Sequence, residues 1–243
     1  MATERSGGAP APAGHGTDPV PTSPRGEIEA FLAQARNLGP VGPGRGRLIF
    51  ALDATVSRQP TWESASQLQA DMFAEAARAG GLDVQLVYYR GFSECRASRF
   101  VSDGARLADL MGRISCRGGP TQIGRVLDHA RREAERAPVR VLVFVGDAME
   151  ESLDELAGAA GALGLRGVRA FIFQEGRDPT VEQAFRTIAR LTNGVYCHFD
   201  VGAAHQLREL LRAAAAYAAG GLAALTDLSA RQDSAQRLLA QMT

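Results

Sequence analysis

A chain of 243 residues with 45% hydrophobic content carries enough apolar side chain for one sizeable core and short appendages. Its 27 basic residues, all arginine, balance 27 acidic ones, so the basic excess that marks nucleic-acid binding is missing and nucleic acid is excluded as a general partner. Cys95, Cys116 and Cys197 are widely spaced and form no CxxC pair, which predicts neither a zinc site nor a disulfide framework but free thiols in a reducing compartment.

Residues 1–25 are rich in Pro, Gly, Ala and Ser, a composition that buries too little apolar surface to offset the entropy of ordering; a disordered tail is expected. The N-terminus lacks the apolar run of a signal peptide, and no later stretch reaches the length of a membrane span. A soluble cytoplasmic protein follows as the expectation. In residues 26–44, Ile28, Phe31 and Leu32 share one helical face before the breaker GPVGPGRG, predicting a short docking helix and a linker.

From residue 45 to about 221 the chain alternates apolar runs with amphipathic stretches. RLIFALD, LDVQLVYYR, VRVLVFVGD, GVRAFIFQ and GVYCHF are short and rich in Val, Ile, Phe and Tyr, as strands are. Between them, helices are predicted from Pro60 to Ala79, in TQIGRVLDHARREAER with Ile123, Val126, Leu127 and Ala130 on one stripe, and in TVEQAFRTIARL with Val181, Phe185 and Ile188. Near-continuous apolar strands separated by crossover helices imply a doubly wound α/β fold, its sheet mostly parallel with helices on both faces. ECRASRFV follows its preceding strand too closely for a crossover, so it is expected as one antiparallel edge strand. Residues 222–243, with Leu225, Leu228, Leu238 and Leu239, predict a C-terminal helical extension that could dock a partner.

Ligands of such sheets collect at the carboxyl ends of the strands. There LIFALDATVS sets Asp53, Thr55 and Ser57 at alternate positions, VFVGDAMEE ends a strand on Asp147, and RGGPTQIG delivers Thr121 just before a helix. Two carboxylates and three hydroxyls form an oxygen-only set of the kind a hard divalent cation prefers. The bland alternative for Asp53, Thr55 and Ser57 is a turn and helix cap. His129, His198 and His205 have no ligand spacing.

The order D-x-T-x-S, a Thr in a Gly-containing loop and an Asp closing a later strand resembles a von Willebrand factor A (VWA) domain with a metal-ion-dependent adhesion site (MIDAS). The resemblance implies a VWA/Rossmann-like fold and a magnesium ion, with manganese as a substitute. It implies that Thr55, Ser57 and Thr121 ligate the ion directly while Asp53 and Asp147 often act through water. The open coordination position would then take an Asp or Glu from a partner protein, without catalysis. Thr55 stands where the family usually has Ser, keeping the hydroxyl, and Ala148 where Gly commonly follows the second Asp. Arg58, Trp62, Glu150 and Glu151 are candidates for the rim, although packing against the sheet is the favoured reading of Trp62. The two glutamates have a further pair of readings, as a ligand filling the open position in cis or as the solvated start of a helix.

Two other functions fit parts of the pattern. Haloacid dehalogenase-like phosphatases also begin with an Asp ending an apolar strand, which would make Asp53 a nucleophile and Asp147 a magnesium ligand. Thr55 then occupies the position of the acid that protonates the leaving group, which a hydroxyl cannot do. The third reading is a structural VWA-like domain with an empty, degenerate site.

Overall fold

Six strands form a single sheet in the order β3-β2-β1-β4-β5-β6. The computed structural model describes residues 46–60, 62, 82–199, 209, 211–220, 224 and 227. The expected tail over 1–25, the helix and linker over 26–44, most of the helix from Pro60 to Ala79, and the extension over 222–243 lie outside the described residues, apart from isolated positions. Of the Pro60–Ala79 helix, Pro60 and Trp62 are described and both are helical.

The strands are β1 (Gly46–Asp53), β2 (Leu82–Arg90), β3 (Glu94–Ala97), β4 (Val141–Gly146), β5 (Arg169–Glu175) and β6 (Val195–Phe199). β1 pairs in parallel with β2 and β4, β4 with β5, and β5 with β6. Only β3 runs antiparallel, placing Tyr89 opposite Cys95, and a single bridge from Val84 to Val101 extends that edge. The expected doubly wound sheet with one antiparallel edge is therefore the fold observed.

Every residue of β4 is buried, and all of β1 except Arg47. That burial on two faces is why these strands lack polar alternation. On one face Leu48, Phe50, Leu52, Val143, Val145, Phe171 and Phe173 pack against α1 (Gly104–Gly112), Trp62 and the helical residues 211–218. On the other, Ile49, Ala51, Leu142, Phe144 and Ile172 meet α2 (Ile123–Arg136), α3 (Leu153–Gly164) and α4 (Pro179–Leu191). The predicted stripe of Ile123, Val126, Leu127 and Ala130 is the buried face of α2. The rings of Phe144 and Phe185 meet edge to face at 5.5 Å, tying β4 to α4.

Helix starts follow their caps. Asp103 accepts from Ala105 N at 2.9 Å to open α1, and Asp178 accepts from Thr180 N at 2.8 Å to open α4, with Pro179 in its first turn. α2 has no such cap of its own, because Gln122 before it makes no side-chain cap bond. Its first N–H groups are satisfied instead from the loop that precedes α3. Among the described residues, no helix is long and apolar enough to cross a membrane.

Candidate metal centre

β1 ends on Asp53, whose side chain is fully buried. Its two oxygens are both held: Thr55 N donates to Oδ1 at 2.7 Å and the Tyr89 hydroxyl, from the end of β2, donates to Oδ2 at 2.9 Å. Burial raises the carboxyl above its ordinary pKa and the charge of Asp147 adds to the rise, while the bonds from Thr55 and Tyr89 oppose it. After Asp53 the backbone turns into a short 3-10 segment, Val56–Arg58, so Thr55 and Ser57 fall on the same side of the loop. Their hydroxyls hydrogen-bond to each other with oxygens 3.0 Å apart, Thr55 being buried and Ser57 exposed.

The neighbouring loops are stapled to this one through backbone. Ala54 N donates to Tyr89 O at 3.0 Å, Arg117 N to Ala54 O at 3.0 Å, and Gly91 N to Arg117 O at 3.3 Å. Gly119 is required by this approach: a Cβ there would fall 2.2 Å from the carbonyl of Gly91. The loop then brings in Thr121, which is 5% exposed. Thr121 and Glu150 exchange hydrogen bonds, Thr121 N donating to Glu150 Oε2 at 3.0 Å and Glu150 N to Thr121 Oγ1 at 2.9 Å. This reciprocal pair fixes Thr121 to the loop that carries Asp147.

Asp147 follows β4 directly, and its Oδ1 is buried without a hydrogen-bond partner among the described residues. An unpartnered buried oxygen of Asp147 and the buried carboxylate of Asp53, which feels the charge of Asp147, leave negative charge that a cation could offset. The hydroxyl pair fits the same demand. Magnesium–oxygen bonds of about 2.1 Å at right angles set neighbouring ligands about 3.0 Å apart, the separation of Thr55 Oγ1 and Ser57 Oγ. Among the described residues no three His, Cys, Asp or Glu side chains gather into a metal-binding group. The expected set of Asp53, Asp147, Thr55, Ser57 and Thr121 offers two carboxylates and three hydroxyls instead, chemistry suited to a hard ion.

No family model matches the sequence, and no curated protein matches it significantly. Solved structures do. A von Willebrand factor type A protein from Catenulispora acidiphila superposes with a TM-score of 0.59 at 20% identity, over 73% of this chain and 44% of that one. The chain thus spans less than half the length of that protein. The SpRpn10 VWA domain matches with a TM-score of 0.56 at 12% identity, over 69% of this chain and 94% of the domain. The chain has a VWA fold. Proximal thread matrix protein 1 from the mussel byssus, in a structure with a zinc-occupied MIDAS motif, matches with a TM-score of 0.56 at 17% identity, over 71% of this chain and 46% of that one.

Within the VWA fold the four expected rim residues occupy different places. Arg58 is not at an accessible rim: it is 1% exposed and pairs with Glu175, at the end of β5, at 3.0 Å. Its position right after Ser57 points it under the loop, where a buried acid accepts it. Trp62 is also inside, 6% exposed and donating from Nε1 to Ile114 O at 3.1 Å, because its large apolar ring is better buried under the sheet than left at the surface. Glu151 accepts from Ile123 N and Gly124 N, both at 2.7 Å, and so caps α2 from the loop before α3. Glu150, exposed, is engaged with Thr121. Glu151 therefore serves a helix start, though that of α2 rather than the helix that follows it, while Glu150 holds the loop before α2.

Tyr89 was legible in the sequence only as a strand residue. The signal for its role is positional: in the parallel register it is the partner of Asp53, and it is fully buried, so its hydroxyl must find an acceptor at that point.

Proposed function

We propose that the chain is a VWA-type protein-interaction module that holds magnesium, or manganese in its place, at Asp53, Thr55, Ser57, Thr121 and Asp147. The observation that carries this reading is the buried, unpartnered Oδ1 of Asp147 beside the buried carboxylate of Asp53. The 3.0 Å separation of the Thr55 and Ser57 hydroxyls supports it. When bound by these residues, the ion would supply an electrophilic centre able to accept an Asp or Glu of a partner protein, joining the two proteins without chemistry. Cys95, Cys116 and Cys197 are all free thiols, which supports a cytoplasmic, reducing setting.

A phosphatase reading fares worse on the same geometry. Asp53 would have to attack a phosphoester, yet it is fully buried and both its oxygens accept hydrogen bonds. A structural domain with an empty site would leave the unpartnered carboxylate oxygen without compensation.

Capture of partner proteins from native lysate tests the reading. Capture in magnesium that is abolished by EDTA, by Asp53→Ala and by Thr121→Ala supports it. Magnesium-dependent turnover of a phosphoester, lost in Asp53→Ala, overturns it in favour of the enzyme. Capture indifferent to EDTA moves the interface to another face.

A further inference from the structure

Three large hydrophobic side chains are exposed among the described residues, and two of them flank the candidate metal centre. Val56, 54% exposed, stands between Thr55 and Ser57, and Phe92, 87% exposed, sits in the turn between β2 and β3. The third, Leu165, lies at the end of α3. The turn bearing Phe92 is locked against the Thr121 loop: Gln122 Nε2 donates to Gly91 O at 3.0 Å, next to the bond from Gly91 N to Arg117 O. Phe92 is thus held at a fixed offset from the metal loops.

Between this turn and the Thr121 loop opens a depression of about 620 Å³, lined by Phe92, Glu94, Arg96, Arg117, Gly118 and Arg125. The side chains of Arg96 and Arg117 are 73% and 65% exposed. Glu94 is the one acid in this lining, and it already faces Arg90 at 3.1 Å, Arg117 at 3.6 Å and Arg96 at 3.9 Å. One carboxylate cannot neutralise those three arginines together with Arg125. A chain that is neutral as a whole therefore concentrates positive charge beside its metal loops.

We infer that this depression is the second half of the partner site and receives an acidic protein segment, in which an apolar residue and a further carboxylate accompany the carboxylate offered to the metal. The inference rests on the metal reading for that first carboxylate. The apolar residue packs on Phe92, in the lining, and on Val56, whose Cγ2 borders Gly118 of that lining, and the further carboxylate meets Arg96 and Arg117. A phosphate backbone would satisfy the arginines but leave the aliphatic Val56 without a contact. Charge at such a rim sets partner choice and association rate more than total affinity.

Selection of a displayed random-peptide library on the full chain in magnesium tests this directly, since the library samples every acidic and apolar pattern. The expected winners carry at least two acidic residues around an apolar one. A fluorescent copy of a winner should lose about tenfold or more in affinity with Arg96→Glu/Arg117→Glu and with Phe92→Ser, a loss of about 1.4 kcal/mol or more. The arginine effect should shrink as salt rises. These variants alter exposed side chains, and manganese titration of each should still show one equivalent of bound ion. Winners with a single acid, EDTA-sensitive but indifferent to these substitutions, overturn the inference and leave the metal reading intact. Winners that depend on the arginines but not on metal refute the metal reading instead. Binding competed away by inorganic phosphate, or no winners at all, overturns the acidic-segment inference.

Discussion

The Tyr89 hydroxyl and Asp53 Oδ2 meet at 2.9 Å, joining the ends of two adjacent parallel strands. With Thr55 N on the other oxygen, Asp53 is oriented by protein on both sides. Tyr89→Phe keeps the ring and removes only the donor. Residues that orient a ligand typically contribute about 10–100-fold to metal affinity. The expected outcome is a manganese affinity lowered by about tenfold, with a folded protein destabilised by about 1–3 kcal/mol for the unsatisfied acceptor. Calorimetric titration and thermal melts measure both; unchanged affinity would show that Tyr89 serves packing alone.

Arg58 and Glu175 form an ion pair at 3.0 Å with side-chain exposures of 0% and 5%. Truncating one partner of such a pair leaves the other charge buried, at a cost of about 3–5 kcal/mol. Arg58→Met should therefore destabilise strongly, and Arg58→Met/Glu175→Gln should recover part of the loss. Additive losses in denaturant melts would show that the two side chains are not coupled.

Glu151 stands in for the missing cap of α2. Glu151→Ala should lower stability by about 0.5–2 kcal/mol, the usual range for a lost helix cap, and Glu151→Gln by less, because an amide oxygen still accepts from Ile123 N and Gly124 N. Hydrogen exchange at those two amides reads the effect locally, and should speed up in Glu151→Ala alone.

His129 Nε2 lies 2.9 Å from Oε1 of Gln85, whose amide nitrogen donates to Ser98 O. Burial holds the imidazole below its ordinary pKa of 6.5, with Arg132 and Arg136 adding to the effect and Glu133 and Asp128 opposing it. The unfolded chain then binds a proton more readily than the folded one. Stability from this residue is complete above 6.5 and is lost as pH falls through the lower folded value. The difference in melting between wild type and His129→Gln should follow that direction; a difference independent of pH would contradict it.

The strands were legible because burial on both faces forces uninterrupted apolar runs, and the loop residues Asp53 and Asp147 because each closes such a run. The stripe of α2 was legible for the same reason. α3 leaves no comparable signal: LDELAGAAGALG is rich in Ala and Gly, and only Leu156, Ala160 and Leu163 are buried, a stripe too faint to register. α1 is short and leaves as little. Arg58 reads as a surface charge because its partner, Glu175, arrives from a distant strand, and local pattern carries no trace of such a pairing. Glu150 and Glu151 read as acids at the start of the helix behind them, but Glu151 caps α2 and Glu150 binds Thr121 N, partners that only tertiary contact sets.

Asp53, Asp147 and the three hydroxyls are the proposed holders of a divalent cation. Calorimetric titration of manganese and magnesium into wild type and Asp147→Ala, with melting temperatures recorded alongside, tests this assignment most directly. One equivalent of bound ion is expected, with a melting temperature that rises with ion concentration in wild type, both absent in a folded Asp147→Ala. No heat and no shift in wild type, or equal binding by Asp147→Ala, would contradict it.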